Sequence, residues 1–151
     1  MSLFRSLISF GVLMSLAACA TAAPLPEIEV GQVWTVKDAS TSSMRLTIEK
    51  IEPYASDTVV HVSIKGADVT THSGGSEVAV NPGVIGHIPF EKTILLRSID
   101  ELEQTGADGS AFFEQGYSHW KNNKGGIFSI PVSQAVEMSL SITQQSTDEE
   151  N

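Results

Sequence analysis

Strict alternation of apolar and polar residues constrains the fold of this chain more than any other feature. It covers Met44–Glu49 and Val60–Lys65, with a polar Pro-Tyr-Ala-Ser-Asp loop at 53–57 between them. A period of two is typical of a β-strand with one buried face, and two such runs joined by a short loop predict an antiparallel hairpin. By this alternation we expect His61 and Ser63 to face solvent.

The segments on either side of this hairpin extend the sheet. Residues 28–36 alternate and predict a strand before the hairpin, and the apolar run 84–90 predicts a strand after it. Residues 127–132 predict a last strand. Pro131 places that strand at a sheet edge or a strand end, because proline has no amide hydrogen to donate to a neighbouring strand.

Three later segments have the apolar period of a helix. They cover 91–104, 111–121 and 134–144, although the last also alternates as a strand would. Their apolar stripes are Leu95, Ile99 and Leu102, then Phe113, Tyr117 and Trp120, then Val136 and Leu140. Because strands precede helices, the pattern favours an α+β fold. We expect an antiparallel β-meander covered on one face by two or three helices.

Gly116 interrupts the second predicted helix, where a glycine costs about 1 kcal/mol relative to alanine. Its position predicts that another backbone approaches the helix closely there. The aromatic stripe beside it is interpreted as core rather than as the wall of a pocket, because apolar residues at helical spacing usually face a core.

A long segment between the predicted strands, 66–83, is rich in Thr, Ser and Gly. Unstructured segments of this length in a compact domain are usually functional or mobile. The segment lacks the lysine and the following helix of a phosphate-binding loop. We interpret it as an exposed loop, with His72, Ser73, Gly74 and Gly75 as a candidate partner contact.

The first eighteen residues have the layout of a secretory signal. Arg5 supplies the positive start, an apolar centre follows at 7–14, and small residues come next. The apolar run is too short to span a bilayer comfortably. The only cysteine of the chain closes the tetrad Leu16-Ala17-Ala18-Cys19.

That tetrad resembles the lipobox of bacterial lipoproteins. The resemblance implies that Cys19 is the first mature residue and that it carries a diacylglyceryl group and an acylated amino terminus. Two or more acyl chains anchor stably, because each buried methylene contributes about 0.8 kcal/mol. Ala20 resembles the outer-membrane sorting pattern and implies a domain facing the periplasm. The alternative is an ordinary signal peptide that is cut before Ala23.

The chain divides into a signal peptide at 1–18, a lipidated tether at 19–28, a single α+β domain at 29–145 and a disordered acidic tail at 146–151. Without Arg5 it has 8 basic and 18 acidic residues and therefore a net charge of −10. That charge disfavours nucleic acid and suits a basic envelope protein as partner. With Cys19 acylated no thiol remains for a disulfide, so packing alone holds the fold.

Three motifs in the second half of the chain are similar to those of a group of uncharacterised proteobacterial proteins. They are Gly-x-x-Pro-Phe at 86–90, Phe-x-x-Gly-Tyr-x-x-Trp at 113–120 and Gly-x-Phe-x-Ile at 126–130. Glu91 stands where that group has a serine. The resemblance implies a compact domain and carries no activity with it.

No run of residues has the spacing of a familiar catalytic or metal site. The four histidines are His61, His72, His87 and His119, and no two of them stand two or four positions apart. The chain also lacks a Gly-x-Ser-x-Gly elbow. We therefore assign no catalytic residue, no metal ligand and no cofactor.

Three classes of function stay open. We favour a non-enzymatic envelope lipoprotein that binds another protein. The second class is a periplasmic inhibitor or immunity protein against a cell-wall-degrading enzyme, with segment 66–83 as its plug. An acidic surface would steer a basic enzyme towards it. The third class is a hydrolase whose site converges from His87, Glu114 and His119.

Overall fold

The computed structural model describes residues 24–73 and 76–148, and it describes 68–73, 76–82 and 142–148 by their backbone alone. The predicted signal peptide, Cys19 and the first part of the tether lie outside the described residues, as do Gly74 and Gly75. In the part of the chain that is described, no helix is long and apolar enough to cross a membrane.

A five-stranded antiparallel sheet organises the domain, with the spatial order β4-β3-β2-β1-β5. The strands are β1 (Val33–Val36), β2 (Arg45–Tyr54), β3 (Asp57–Ser73), β4 (Ser76–Glu91) and β5 (Ile99–Gln104). The helices are α1 (Lys92–Ser98), α2 (Phe113–Asn122) and α3 (Val132–Asp148). The predicted α+β class and the predicted antiparallel meander are confirmed.

The apolar face of the sheet is covered by α1 and α3, as the sequence predicted. Val60 and Val62 of β3 are fully buried there in one cluster with Leu95 of α1 and Val136 of α3. Burying an aliphatic side chain of this size contributes about 1.5–3 kcal/mol relative to leaving it exposed. This cluster is therefore the main source of stability of the domain.

The opposite face of the sheet is covered by α2, where the sequence predicted solvent. His61 is 0% exposed and Ser63 is 1% exposed, and the rings of Tyr117 and Trp120 on α2 pack against the His61 ring. The prediction that these two polar residues face solvent is wrong. Alternation assigns residues to a face, but it does not say whether another element covers that face.

Gly116 allows α2 to approach the sheet closely. A Cβ at this position would lie 2.6 Å from the Cβ of His87 on β4, which is closer than two such carbon atoms pack. The prediction of a close backbone approach is confirmed, since the Cα of His87 would be 3.7 Å away.

The segment 66–83 is not a loop, so that interpretation is wrong. It forms the outer half of the β3–β4 hairpin, in which Thr70 pairs with Ala79 and Ser73 pairs with Ser76. Pairing between β2 and β3 ends at Lys65. The Ser and Gly residues of this segment favoured a loop in the prediction. The Val and Thr residues interspersed among them favour a strand, and they determine the structure.

The predicted helix 91–104 is correct only in its first half. The helix α1 ends at Ser98, and Ile99 is already extended. Residues 99–104 form β5, which pairs with the free edge of β1 through Val36–Ile99 and Trp34–Leu102. Leu102 is 45% exposed. The backbone hydrogen bonds between β5 and β1 outweigh the helical period of this segment. Of the predicted stripe, only Leu95 lies in α1.

The helices predicted at 111–121 and 134–144 are confirmed as α2 and α3, so the last segment is not a strand. The helix α3 continues to Asp148, where a disordered tail was predicted, and 149–151 lie outside the described residues.

The predicted strand 127–132 is wrong. It is reduced to one parallel bridge between Phe128 and Phe90, because Gly125 and Gly126 precede it and Pro131 interrupts it.

Candidate functional site

Four polar side chains meet between the sheet and α2, and we call them the His–Glu cluster. They are Glu52 on β2, His61 on β3, His87 on β4 and Tyr117 on α2. Strand pairing brings them together, because Lys50 lies opposite His61 and His61 lies opposite Pro89. Glu52 and His87 each stand two residues from such a pair, and side chains two residues apart share a face.

A chain of hydrogen bonds runs through the cluster. Nδ1 of His61 lies 2.8 Å from Nε2 of His87, and Nε2 of His61 lies 3.2 Å from Oε1 of Glu52. The hydroxyl of Tyr117 donates to both oxygens of Glu52, at 3.1 and 3.0 Å. The carboxylate is thus the acceptor at the end of a relay that crosses three strands.

The protonation states in the cluster determine which group donates each hydrogen bond. Burial acts to raise the pKa of Glu52, but the hydrogen bonds from Tyr117 and His61 and the charge of Lys50 lower that pKa below its ordinary value. Burial lowers the pKa of His61 against the opposing effect of Glu52. Burial, and then the neighbouring His61, lowers the pKa of His87 to about 4. At neutral pH the cluster therefore holds one carboxylate and two neutral imidazoles.

Each ring nitrogen in the relay then has one role. An ionised carboxylate only accepts hydrogen bonds, so Nε2–H of His61 donates to Glu52. Nδ1 of the same neutral ring must accept, so Nε2–H of His87 donates to it. A proton added to this pair would reverse the bond between the two rings, because a charged His61 would donate from both nitrogens.

Aromatic rings enclose the histidine pair. The centroid of the Trp120 ring lies 4.7 Å from that of His61, and Phe113 lies 5.6 Å from His87, both edge to face. Phe113 and Tyr117 are buried, as the core interpretation of the stripe predicted, but Trp120 is only half-buried. The pair is consequently shielded from water on the side of α2.

A second carboxylate on β2, that of Glu49, holds a loop against the sheet and accepts a hydrogen bond from the buried Ser63. The hydroxyl of Ser63 donates to Glu49, and the backbone N–H of Ser110 donates to the same oxygen at 2.8 Å. The serine hydroxyl therefore contacts a carboxylate and not a histidine. The Ser63 hydroxyl is thus held by an acceptor that also anchors Ser110.

An open cleft lies beside the cluster, at the carboxyl end of α2. It has a volume of about 470 Å³ and is lined by Glu52, Pro53, Tyr54, Trp120, Lys121, Lys124 and Gly125. The Trp120 N–H donates to the carbonyl of Gly126 at 2.8 Å, and the Tyr54 hydroxyl donates to that of Gly125 at 3.3 Å. The loop after α2 thereby fixes both aromatic walls.

The structure disperses most of the residues that the sequence singled out. His72 and Ser73 lie in β3, paired with Glu77 and Ser76; Gly74 and Gly75 are outside the described residues. Across the described ranges, no group of three or more His, Cys, Asp or Glu side chains is arranged to hold a metal ion.

The three residues of the predicted hydrolase site do not form one site. His87 faces His61, whereas Glu114 and His119 are exposed on α2. Glu52 was not predicted from the sequence to be the partner of the histidines. Gly116 was the available sequence signal for this site. A helix that approaches another backbone closely at a glycine must cover a surface there, and that surface is the face of the sheet that carries His87.

Comparisons with protein-family models, with curated proteins and with solved structures found no match for this chain.

Proposed function

We propose that this chain is a lipid-anchored protein of the bacterial envelope whose folded domain binds another protein and catalyses no reaction. The observation that carries the binding role is the β3–β4 hairpin. In the described residues, β3 beyond Lys65 pairs with β4 alone. Residues 66–73 therefore extend roughly 25 Å past the last pair with β2, at about 3.3 Å per residue.

A two-stranded ribbon of this kind supports a contact role because both of its edges lack a neighbouring strand. Unpaired strand edges carry rows of N–H and C=O groups that another chain can pair with, and many peptide-binding domains add a strand in this way. An isolated hairpin is marginally stable in water. A partner strand would supply the missing neighbour.

Charge supports a basic partner for the hairpin. The segment 66–83 contains Asp68 and Glu77 and neither Lys nor Arg. With the net charge of −10 expected for the mature chain, this acidic ribbon would attract a basic surface and accelerate association at low salt.

The His–Glu cluster supports a role without catalysis. Its histidines are neutral, and aromatic rings enclose them. Through the described residues, the hydrogen bonds of His61 and His87 lead to each other and to Glu52, with no serine, threonine or cysteine among their partners. The relay is therefore suited to hold three strands and α2 in register.

The inhibitor class is a second candidate, and the outer strand β5 favours it. After Ile99 every residue of β5 is exposed, and Asp100, Glu101 and Glu103 are among them. Only Glu103 of these three has a basic partner in the described part of the chain, namely Arg45. An acidic sheet edge of this kind is complementary to a basic enzyme.

Shortening the hairpin in register is expected to abolish partner binding and leave the domain folded. Removal of Thr71–Ser73 together with Ser76–Val78 joins Thr70 to Ala79 through the two residues 74–75. The removed residues pair with each other and not with β2, so melting should be nearly unchanged. Binding is measured by capture from envelope extracts at low salt, followed by titration of the captured protein.

The matched control is Glu137→Gln on the exposed surface of α3, which removes the same single negative charge as the shortened hairpin. It should capture the partner as the parent does. If the parent and the shortened variant bind the captured protein with the same Kd, the hairpin is not the contact and the proposal fails.

Cys19→Ser is expected to release the protein from the membrane fraction. A serine hydroxyl cannot replace the thiol that takes the diacylglyceryl group, so both acylation and cleavage at this point should stop. Fractionation and intact mass of the mature chain measure the two effects. A Ser variant that stays with the membrane at the parental mature mass would contradict the anchor.

A further inference from the structure

The cleft at the carboxyl end of α2 is built around an unusual helix end. The N–H of Gly125 donates to the carbonyl of Trp120 at 2.9 Å, and the N–H of Lys124 is directed to that of Lys121 at 3.4 Å. These two bonds form a Schellman motif, in which the residue at the Lys124 position adopts a left-handed conformation and is usually glycine.

Lys124 occupies that left-handed position with a φ of 49°. A residue with a Cβ pays roughly 1–2 kcal/mol there relative to the right-handed region. Glycines follow at once, at 125 and 126, so the glycine lies one place too late to relieve the strain. Lys124 lines the cleft, and strain held at a cleft points to a use for the residue.

The cleft is locally basic in an acidic protein. Lys121 and Lys124 both line it, and within the described ranges neither has a carboxylate within ion-pair distance. Glu52 at the inner end is already matched, because Nζ of Lys50 lies 3.5 Å from its Oε2. The two lysines therefore leave an excess of positive charge that suits an anionic ligand.

The rest of the lining suits a ring that carries hydroxyl groups. Tyr54 and Trp120 form the aromatic walls, with ring centroids 5.7 Å apart, and both of their polar hydrogens are already donated to backbone carbonyls. Their remaining surface is apolar. Glu52 is already occupied by His61, Tyr117 and Lys50, but the ammonium groups of the two lysines can donate hydrogen bonds to the hydroxyl oxygens of a sugar.

We propose that this cleft binds an acidic saccharide, with its ring against the two aromatic side chains and its carboxylate on the two lysines. The volume of about 470 Å³ lies within the range of small-molecule sites, roughly 300–1,000 Å³. The site is separate from the hairpin and does not depend on the protein partner proposed above.

Calorimetric titration of the full chain in detergent with digalacturonic acid tests this site. The parent should bind this probe and should bind neutral digalactose at least about tenfold more weakly, because the lysines lose their charged partner. Lys124→Gly should weaken binding of digalacturonic acid by about tenfold or more. It should also melt at or above the parental temperature, because glycine suits the left-handed position.

If Lys124 served only to cap the helix, Lys124→Gly would bind digalacturonic acid as the parent does. Lys92→Gln, on the exposed start of α1, is the charge-matched control and should bind as the parent does. The variant with the shortened hairpin should also bind, which separates this site from the protein contact. Equal affinity for digalactose would overturn the proposal, as would parental binding by Lys124→Gly. Binding of tetra-aspartate without binding of the sugar acid would indicate a peptide site and would overturn it too.

Discussion

Lowering the pH from 7 to 4.5 is expected to reduce the free energy of unfolding by on the order of 2–3 kcal/mol through the histidine pair. His87 has a pKa of about 4 in the folded protein against an ordinary value of 6.5. The pKa of His61 is lowered as well. Both rings are held neutral because they are buried between β3, β4 and α2.

The direction follows from proton counting. Between pH 6.5 and about 4 the unfolded chain binds a proton at His87 that the folded domain does not bind, and the lowered pKa of His61 acts in the same direction. The unfolded state is therefore favoured as the pH falls through this window. Above pH 6.5 both states hold the rings neutral, so the stability from this source is complete there and flat with pH.

Denaturant unfolding at half-unit pH steps from 7 to 4.5 measures the effect, and stopping at 4.5 keeps most carboxylates ionised. His87→Gln should flatten the profile, because its amide can still donate to Nδ1 of His61 but does not titrate. His119→Gln, on the exposed side of α2, should keep the parental slope. If His87→Gln loses stability with pH as steeply as the parent, the histidine pair is not the source.

Gly66→Ala is expected to lower the free energy of unfolding by about 3 kcal/mol, which is large for a single added methyl group. Gly66 has a φ of 74°, where any residue with a Cβ is strained by about 1–2 kcal/mol. A Cβ there would also lie 2.3 Å from the carbonyl oxygen of Ser43. The Gly66 carbonyl accepts from Thr41 and Ser43 at 2.7 and 3.1 Å, so the neighbouring backbone has little freedom to move.

Two other glycines separate these contributions. Gly106 has a φ of 66° but open space around it, so Gly106→Ala should show the conformational cost alone. Gly126 has open space and no left-handed φ, so Gly126→Ala should be nearly neutral. Urea unfolding of the three variants should rank them in that order. A Gly66 variant no less stable than the Gly106 variant would show that the contact with Ser43 relaxes.

The elements that could be predicted from sequence are those whose own residues carry the deciding information. The alternation in Met44–Glu49 and Val60–Lys65 predicted two neighbouring strands, and the stripe on 113–120 predicted α2 together with its buried side. In each case a period of two or of about 3.6 was continuous over the stretch that was recognised, so no distant residue was needed to interpret it.

Residues 99–104 show why the rest could not be predicted. Leu95, Ile99 and Leu102 share a helical period, but the chain leaves the helix after Ser98 because β1 offers an unpaired edge. That edge belongs to residues more than sixty positions earlier in the chain, and no local pattern records it.

The candidate site was missed for a related reason. His61 alternates with buried valines and therefore looked like a solvent-facing residue until α2 was placed over it. Its partners Glu52 and His87 come from the two flanking strands. Gly116 was the one local sign of this packing, and it indicated a close contact without naming the residue on the other side.

The pairing of β1 with β5 also dictates the order in which the domain can fold. Val36 pairs with Ile99, so this contact closes a loop of roughly sixty residues, and such distant contacts are slow to form. Until β5 arrives, β1 is the outer strand and presents a short apolar edge that other chains can pair with. The arrival of β5 replaces it with an edge of exposed carboxylates. The arrival of β5 thus removes an edge through which a partly folded chain is prone to aggregate.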